Sequence, residues 1–252
     1  MKRSANSRLA LALFAMPLAL TLASCGKGNE ENGGLSGDPI SKVAPPAGKS
    51  WAEVVSKTPD GGYLMGNPQA PIKLVEYGAL SCSHCAEFSE KGSAELRDNF
   101  VASGRVSYEL RLFMLNALDV PAALLATCGS QEAVIPLSDQ FWAWQPNMFQ
   151  NMQAAGEAKV QAATEIAPPG RFAGIAKVTG MDEFFAARGI AADQAKTCLS
   201  NMAEAEAMAK RTNELGERDN VTGTPTFLIN GKKSEDNTWE AIKARLETMG
   251  AR

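Results

Sequence analysis

Two cysteines separated by two residues are the first candidates for chemistry in this sequence. Cys82 and Cys85 stand in the stretch LSCSHCAEF and flank the single histidine of the chain, His84. A C-x-x-C pair can supply half of a metal site, close a structural disulfide or exchange electrons. A disulfide across two residues restricts the unfolded chain very little, so it would stabilise a fold only weakly. Metal binding and electron exchange therefore remain to be weighed.

The sequence offers few further ligands for a metal site built on this pair. Zinc would need two more, and the sequence offers one histidine between the cysteines and no second C-x-x-C. A copper site could use Met148 and Met152, which would share one face of a helix, although methionines at this spacing more often fill a core. We therefore predict no metal and no cofactor, and keep a copper metallochaperone as an alternative.

The position of the pair in the sequence favours electron exchange. Residues 72–77, IKLVEY, read as a buried strand, and helical sequence runs from about residue 84 to 102. Cys82 would then lie at a helix N-terminus, where free N–H groups and the helix dipole stabilise a thiolate. His84 adds a group able to carry positive charge. A stabilised thiolate makes the disulfide more oxidising, and Cys85, one turn on, would be the shielded resolving thiol.

The elements that position the pair follow from hydrophobic periodicity. Residues 62–65 predict a short edge strand, and alternation over residues 106–112 predicts a strand after the helix, which gives a βαβ unit. Strand character returns at residues 226–229, before an Asn-Gly hairpin turn. A last helix is expected to begin near Asn237, with Glu240 placed as in a capping box. The two ends must share one sheet, since neither alone could bury its strands.

A helical block separates these two ends. Residues 117–217 are rich in alanine, contain no strand signal and are interrupted by Gly and Pro. The predicted fold is therefore α/β, with an all-helical domain inserted between sheet halves at residues 51–116 and 218–252. Cys128 and Cys198 both lie in the block, and a bridge would close a loop of about 70 residues and contribute about 4 kcal/mol. The alternative is two separate buried thiols.

An aromatic cluster in the block, FWAWQPNMF, has two possible roles. We expect most of its side chains to pack in the core, and the alternative is a hydrophobic surface for unfolded clients. The cluster consists of Phe141, Trp142, Trp144 and Phe149.

The first 24 residues have the features of an export signal. Basic residues precede an apolar run at residues 9–22 that is too short to favour a transmembrane helix, and small residues follow. The end of the segment, Leu-Ala-Ser-Cys, resembles the lipobox of bacterial lipoproteins, in which the cysteine, here Cys25, is lipidated. The alternative is a plain secretory signal. Residues 25–50 are rich in Gly, Pro, Asn and Glu, so we predict a flexible tether.

Export would place the protein in the bacterial periplasm, anchored to a membrane by lipid. Gly26, after the lipobox cysteine, slightly favours the outer membrane. The chain has 25 basic and 28 acidic residues and no evident basic patch, so we expect no nucleic-acid partner. Of the five cysteines, lipidation of Cys25 would leave four, an even number that suits an oxidising compartment.

The stretch around the C-x-x-C pair and a Thr-Pro stretch far downstream together resemble one protein family. YGALSCSHCAEF after IKLVE, with GTPTFLING far downstream, resembles the DsbA-like branch of the thioredoxin superfamily, whose members are exported thiol:disulfide oxidoreductases. The resemblance covers residues 62–249, and the helical block sits where that family inserts its helical domain. It implies that Cys82 is the nucleophile and Cys85 the resolving thiol. Ser83 and His84 would form the dipeptide that tunes the redox potential.

The same resemblance assigns three further residues. Thr224 and Pro225 match the cis-proline loop that faces the active site, where the backbone of Thr224 would pair with a client peptide. Glu76 matches the buried acid that assists proton transfer at Cys85, and burial should raise its pKa. The alternative for Glu76 is an ordinary strand carboxylate.

The expected function is thiol:disulfide exchange in the cell envelope, most simply oxidation of client dithiols. The partners would be exported unfolded or cysteine-containing clients and a membrane redox partner that resets the disulfide. Ser83 and Thr224 depart from the residues that oxidants of the family often carry, so an isomerase or reductase stays an alternative. Isomerases usually dimerise, and the sequence shows no module for it, so we expect a monomer. A non-catalytic client-holding chaperone is a weaker option.

Overall fold

The computed structural model describes residues 37–252. The predicted export signal and Cys25 lie outside the described residues. Within these residues six strands are found, β1 Val55–Lys57, β2 Tyr63–Gly66, β3 Ile72–Gly78, β4 Val106–Leu112, β5 Thr226–Ile229 and β6 Lys232–Lys233. The helices of the same range are α1 Ser83–Glu95, α2 Asp119–Ala126, α3 Val134–Ala155, α4 Glu157–Glu165, α5 Gly170–Thr179, α6 Met181–Ala186, α7 Ala192–Leu199, α8 Met202–Arg218 and α9 Trp239–Thr248. Within residues 37–252, no helix is both long and apolar enough to cross a membrane.

All six strands form one sheet in the order β1-β2-β4-β3-β5-β6. The central strand β3 runs parallel to β4 and antiparallel to β5, so the two ends of the chain share the sheet, as predicted. Glu76 on β3 lies between Leu110 on β4 and Phe227 on β5. A parallel β3–β4 pair needs a crossover connection, and α1 supplies it. The predicted α/β fold is confirmed.

Each face of the sheet is covered by different helices. Side chains alternate between faces along a strand, and Leu74 joins the large core that includes Phe88 of α1 and Trp239 of α9. Tyr77, three residues further along β3, faces the other side and packs in a smaller cluster with Leu215 of α8. The centre of the sheet is therefore shielded from water on both faces.

The predicted insertion is helical throughout its described length. Helices α2 to α8 follow β4 and precede β5. Within the aromatic cluster, Phe141 and Trp142 are buried and Trp144 is partly buried, which confirms the expected core role for these residues. Phe149 differs, with 42% of its surface exposed.

A disulfide joins two helices of the insertion. Cys128, just after α2, is bonded to Cys198 in α7, and their Cα atoms lie 5.9 Å apart. The bridge spans 70 residues of sequence. It therefore links α2 to α7 across most of the insertion.

Local details differ from the sequence-based expectations. Residues 62–65 are predicted to form a short edge strand. The strand is present as β2, but its edge position is wrong, because β1 pairs along its outer side. A strand of three partly exposed residues carries too little alternation to be recognised. The last helix is capped by Thr238, whose side chain accepts from the Ala241 N–H, so the expected capping box at Asn237 and Glu240 is also wrong.

The first described residues lie against the end of the chain. Gly37 donates its N–H to the carbonyl of Thr248 at 2.8 Å, and Ile40 donates to Gly250 at 2.9 Å. Arg105 donates through Nε to the Ile40 carbonyl at 2.7 Å. This part of the predicted tether is therefore hydrogen-bonded to the sheet domain.

Candidate active site

Cys82 lies where the chain leaves the sheet and enters a helix. After β3, residues 79–82 form a largely buried turn, closed by a hydrogen bond from Cys82 N–H to the Ala79 carbonyl at 3.1 Å. Cys82 is the N-cap of α1, and its Sγ accepts from the Cys85 N–H at 3.2 Å. A sulfur in this position takes up one of the helix N–H groups that lack an intrahelical partner.

The two cysteines have opposite acid strengths. Both are free thiols, as in the reduced form of the pair. A hydrogen bond from the Cys85 thiol, supported by backbone N–H groups of the first turn, lowers the pKa of Cys82 to about 6 against the opposing effect of burial. Burial raises the pKa of Cys85 well above that of an ordinary thiol. At neutral pH, Cys82 is therefore a thiolate and Cys85 a thiol.

The loop of Thr224 and Pro225 faces Cys82. The peptide bond between them is cis. The Cys82 sulfur lies 3.2 Å from the Thr224 carbonyl oxygen, to which it donates a hydrogen bond when it is protonated. A carbonyl at this place is a backbone acceptor beside the sulfur, available when Cys82 is bonded to another chain.

Ser83 and His84 lie on the outer rim of the site. Both are exposed, and the His84 side chain retains 79% of its accessible surface. The His84 Nδ1 lies 3.7 Å from Glu87 Oε2, on the same face of α1. Its backbone N–H helps to lower the pKa of Cys82. His84 therefore acts on Cys82 through its backbone, while its side chain lies beside Glu87.

Glu76 is a fully buried acid beneath the cysteines. Its Oε2 accepts a hydrogen bond from the Tyr108 hydroxyl at 2.7 Å, and its Oε1 has no hydrogen-bond partner among the described residues. Burial raises the pKa of Glu76 to about 8, despite the opposing effect of the Tyr108 hydrogen bond. The charge of Glu76 in turn contributes to the raised pKa of Cys85. Such a group can exchange a proton near neutral pH.

Two side chains of the insertion fix the turn before Cys82. The Trp142 Nε1–H donates to the Ala79 carbonyl at 3.0 Å. Gln145, one turn further along α3, donates through Nε2 to the carbonyls of Leu80 at 2.7 Å and Cys82 at 3.1 Å. The helical insertion therefore holds the backbone that carries the reactive sulfur.

A family model described as thioredoxin matches residues 58–248. The chain belongs to the thioredoxin family. A solved protein-disulfide isomerase from Novosphingobium aromaticivorans is similar to it, with 31% identity and a TM-score of 0.69 over 74% of this chain and 98% of that one. The Wolbachia pipientis protein alpha-DsbA1 has the same fold, with a TM-score of 0.61, 17% identity and coverage of 77% and 92% of the two chains.

Curated relatives of this thioredoxin-family chain have related names. A Rickettsia conorii protein, provisionally named a protein-disulfide oxidoreductase, is 23% identical over 202 residues. The match covers 77% of this chain and 62% of that relative's length. Disulfide bond formation protein D of Bacillus subtilis is 23% identical over 188 residues, which cover 74% of this chain and 76% of that one.

Residues on other elements that support the turn were not predicted from the sequence. Asp119, buried at the start of α2, accepts from the Ser81 N–H at 2.8 Å and from the Leu115 and Asn116 N–H groups at 3.0 Å each. Burial raises the pKa of Asp119. The sequence signal for Asp119 was only that of an acid at the start of a helix. Such acids are common, and the pattern does not show which N–H groups the carboxylate will accept from. Gln145 gave a clearer signal, as a polar residue within an aromatic segment.

The methionines considered for a copper site lie in the core. Met148 is fully buried, and Met152 is partly buried against the same cluster. Within residues 37–252, no group of three or more His, Cys, Asp and Glu side chains is placed to hold a metal ion. The described arrangement thus gives both methionines a packing role.

Proposed function

We propose that this chain is a thiol:disulfide oxidoreductase that oxidises pairs of client thiols through a disulfide between Cys82 and Cys85. One observation carries the proposal: the Cys82 sulfur caps α1 and lies 3.2 Å from both the Cys85 N–H and the Thr224 carbonyl. The first contact stabilises a thiolate, and the second leaves a backbone acceptor beside it. Names of the relatives point to the same chemistry.

In the first step, a client thiolate attacks the Cys82 sulfur of the oxidised pair. A bond forms between the client sulfur and Cys82, and the Cys82–Cys85 bond breaks. Cys85 receives the electron pair and takes a proton from Glu76, whose pKa of about 8 keeps it largely protonated at neutral pH. Because the pKa of Cys85 is raised, the protonated thiol is its stable form.

In the second step, the other client thiolate attacks the client sulfur of the mixed disulfide. The client disulfide forms, and Cys82 leaves as a thiolate, which its pKa of about 6 favours. The client has lost two electrons and two protons, and the pair has gained two electrons. Of these protons, one restores Glu76 and the other enters the solvent.

Return to the oxidised state requires an electron acceptor. We assign this role to a membrane redox partner that presents its own disulfide and takes both electrons from Cys82 and Cys85. Lipid on Cys25 would keep the domain at the membrane surface near that partner. Replacement of Cys25 by Ser should abolish palmitate labelling and release the protein into the soluble envelope fraction. Unchanged labelling of Cys25→Ser would contradict the anchor.

Isomerisation or reduction of client disulfides is the second candidate. Two observations favour an isomerase or reductase: Thr224 lies before the cis-proline, and the solved structure at 31% identity is named a protein-disulfide isomerase. An isomerase would convert a scrambled protein with non-native disulfides into its native form without a net change in thiols. An oxidase would act on the fully reduced protein instead.

The test of the proposal is turnover of a peptide that contains two cysteines. Oxidised protein should convert one equivalent of peptide to its disulfide, and Cys82→Ala should not. Cys85→Ala should instead accumulate mixed disulfides through Cys82, which non-reducing mass spectrometry would detect. Full activity of Cys82→Ala would refute the proposal. The Cys128→Ser/Cys198→Ser double variant is the matched control, since it removes a disulfide distant in sequence from the reactive pair.

A further inference from the structure

The two oxygens of the buried Glu76 carboxyl have different surroundings. Oε2 accepts from the Tyr108 hydroxyl at 2.7 Å, while Oε1 has no partner among the described residues. Both side chains are buried. A buried carboxyl oxygen that no other protein group holds can exchange a proton with a neighbouring group.

The sheet register places Tyr108 and Glu76 together. On β3 and β4, Leu74 pairs with Tyr108 and Glu76 pairs with Leu110. Glu76 and Tyr108 are therefore diagonal neighbours on the same face, within reach of a long aromatic side chain. This face is the one that α1 covers, and α1 carries Cys85.

The free oxygen lies beside the end of β3, just before the turn that leads to Cys82. A Cβ on Gly78, the last residue of β3, would lie 3.1 Å from Oε1 and 3.1 Å from the Trp142 ring. The same Trp142 donates its Nε1–H to the Ala79 carbonyl. Oε1 thus lies in an apolar space between the end of β3 and the insertion, while Tyr108 occupies the other oxygen.

We propose that Tyr108 is a positioning residue for proton exchange at Cys85, because it holds Oε2 and leaves Oε1 as the only oxygen that takes up and returns the proton. This inference rests on the proposed function of the Cys82–Cys85 pair. Tyr108 keeps its own proton throughout and acts through Glu76.

The step can be written for the attack of Cys85 on a mixed disulfide at Cys82. The Cys85 sulfur bonds to Cys82, and the bond from Cys82 to the bound thiol breaks. The bound thiol leaves with the electron pair as a thiolate. The Cys85 proton passes to Oε1 of ionised Glu76. In the reverse direction, the same oxygen returns the proton to the Cys85 thiolate.

The pH dependence of this step depends on the groups around Glu76. From β5, its register neighbour Phe227 carries no charge. The hydrogen bond from Tyr108 favours ionised Glu76, and the charges of Asp139 and Cys82 disfavour it. The titratable groups that face Glu76 are Tyr108 on β4, Cys82 and Cys85 at the start of α1, and Asp139 on α3.

The test measures the second phase of reaction with dithiobis(nitrobenzoate). Reduced protein releases one coloured thiolate when Cys82 attacks and a second when Cys85 resolves the mixed disulfide. The second phase should accelerate with pH, with a midpoint near the Glu76 pKa of about 8. Tyr108→Phe should raise that midpoint by about one to two pH units, and so slow the phase about tenfold or more at neutral pH.

The matched control is Tyr77→Phe. Tyr77 is also buried on β3, but its hydroxyl donates to Asp219 on the other face of the sheet. This variant loses a buried hydroxyl without touching Glu76, so its midpoint should stay that of the wild type. In a Glu76→Gln background, where the pH dependence should disappear, Tyr108→Phe should have no further effect on the rate.

The outcomes separate the two proposals. Absence of a second phase in the wild type would refute the proposed function itself. A normal second phase whose midpoint is the same in Tyr108→Phe and Tyr77→Phe would overturn the role of Tyr108 and leave the function standing. If Tyr108→Phe does not fold, 3-fluorotyrosine at position 108 replaces it. Its more acidic hydroxyl should lower the midpoint, and an unchanged or raised midpoint would overturn the inference.

Discussion

Removal of the Cys85 thiol should raise the pKa of Cys82. In the structure, the Cys85 thiol is the largest single cause of the low pKa of about 6. A hydrogen bond to a charged group contributes about 1.5–3 kcal/mol, and one pKa unit corresponds to about 1.4 kcal/mol. Cys85→Ala should therefore raise the thiolate midpoint by about one to two pH units. Backbone N–H groups of α1 remain and should keep the midpoint below that of an ordinary thiol.

The matched variant is Cys85→Ser, which retains an O–H donor of similar size. Its Cys82 midpoint should stay close to that of the wild type. The assay is the ultraviolet absorbance of the thiolate as a function of pH, with the Cys128–Cys198 bridge intact so that it does not titrate. At neutral pH the wild type should be about nine-tenths thiolate. An unchanged midpoint in Cys85→Ala would show that the helix N-terminus alone stabilises the thiolate, and would refute the reasoning.

Three further perturbations test other parts of the structure. Because the pKa of Glu76 is raised from 4.5 to about 8, folding binds a proton, so its stabilising effect is complete below about pH 4.5 and is lost as pH rises to about 8. The free energy of unfolding of the oxidised protein should fall by up to about 1.4 kcal/mol per pH unit in this window, and Glu76→Gln should remove the slope in urea titrations. Cys128→Ser/Cys198→Ser should lower the free energy of unfolding by about 4 kcal/mol, and an unchanged urea midpoint would contradict this. Gln145→Leu leaves the buried Leu80 carbonyl without its donor, while the Cys82 carbonyl keeps the Ala86 N–H, so the variant should cost about 1–3 kcal/mol. Gln153→Leu at an exposed site of the same helix should cost little. Equal losses in these two variants would show that the Gln145 hydrogen bonds contribute nothing specific.

Local signals in the sequence were enough for the framework of the site. The buried run at residues 72–77 and the alternation over residues 106–112 are properties of short segments, and both became strands. The position of Cys82 at a helix start followed from its place between one such strand and a helical segment. The order of these elements then required a shared sheet, because a strand pair alone cannot bury its faces.

The supports of the site depend on contacts between distant parts of the chain. Tyr108 reads in the sequence as one alternating strand residue, and its partner Glu76 lies 32 residues earlier. Gln145 and Asp119 reach the turn before Cys82 from the insertion, across 63 residues in the first case. No periodicity specifies which helix of the insertion packs against that turn. These contacts arise only when the helical insertion packs against the sheet in three dimensions.

Equilibration of the Cys82–Cys85 pair with glutathione tests the central claim most directly. A stabilised Cys82 thiolate should make the pair an oxidant of client thiols. Its reduction potential should then be well above the roughly −270 mV of thioredoxin and less negative than about −200 mV. The difference between its potential and that of a pair with two ordinary thiols should shrink as pH falls through the Cys82 pKa of about 6, because the thiolate is then protonated. A potential near that of thioredoxin would contradict the account and assign the protein to reduction.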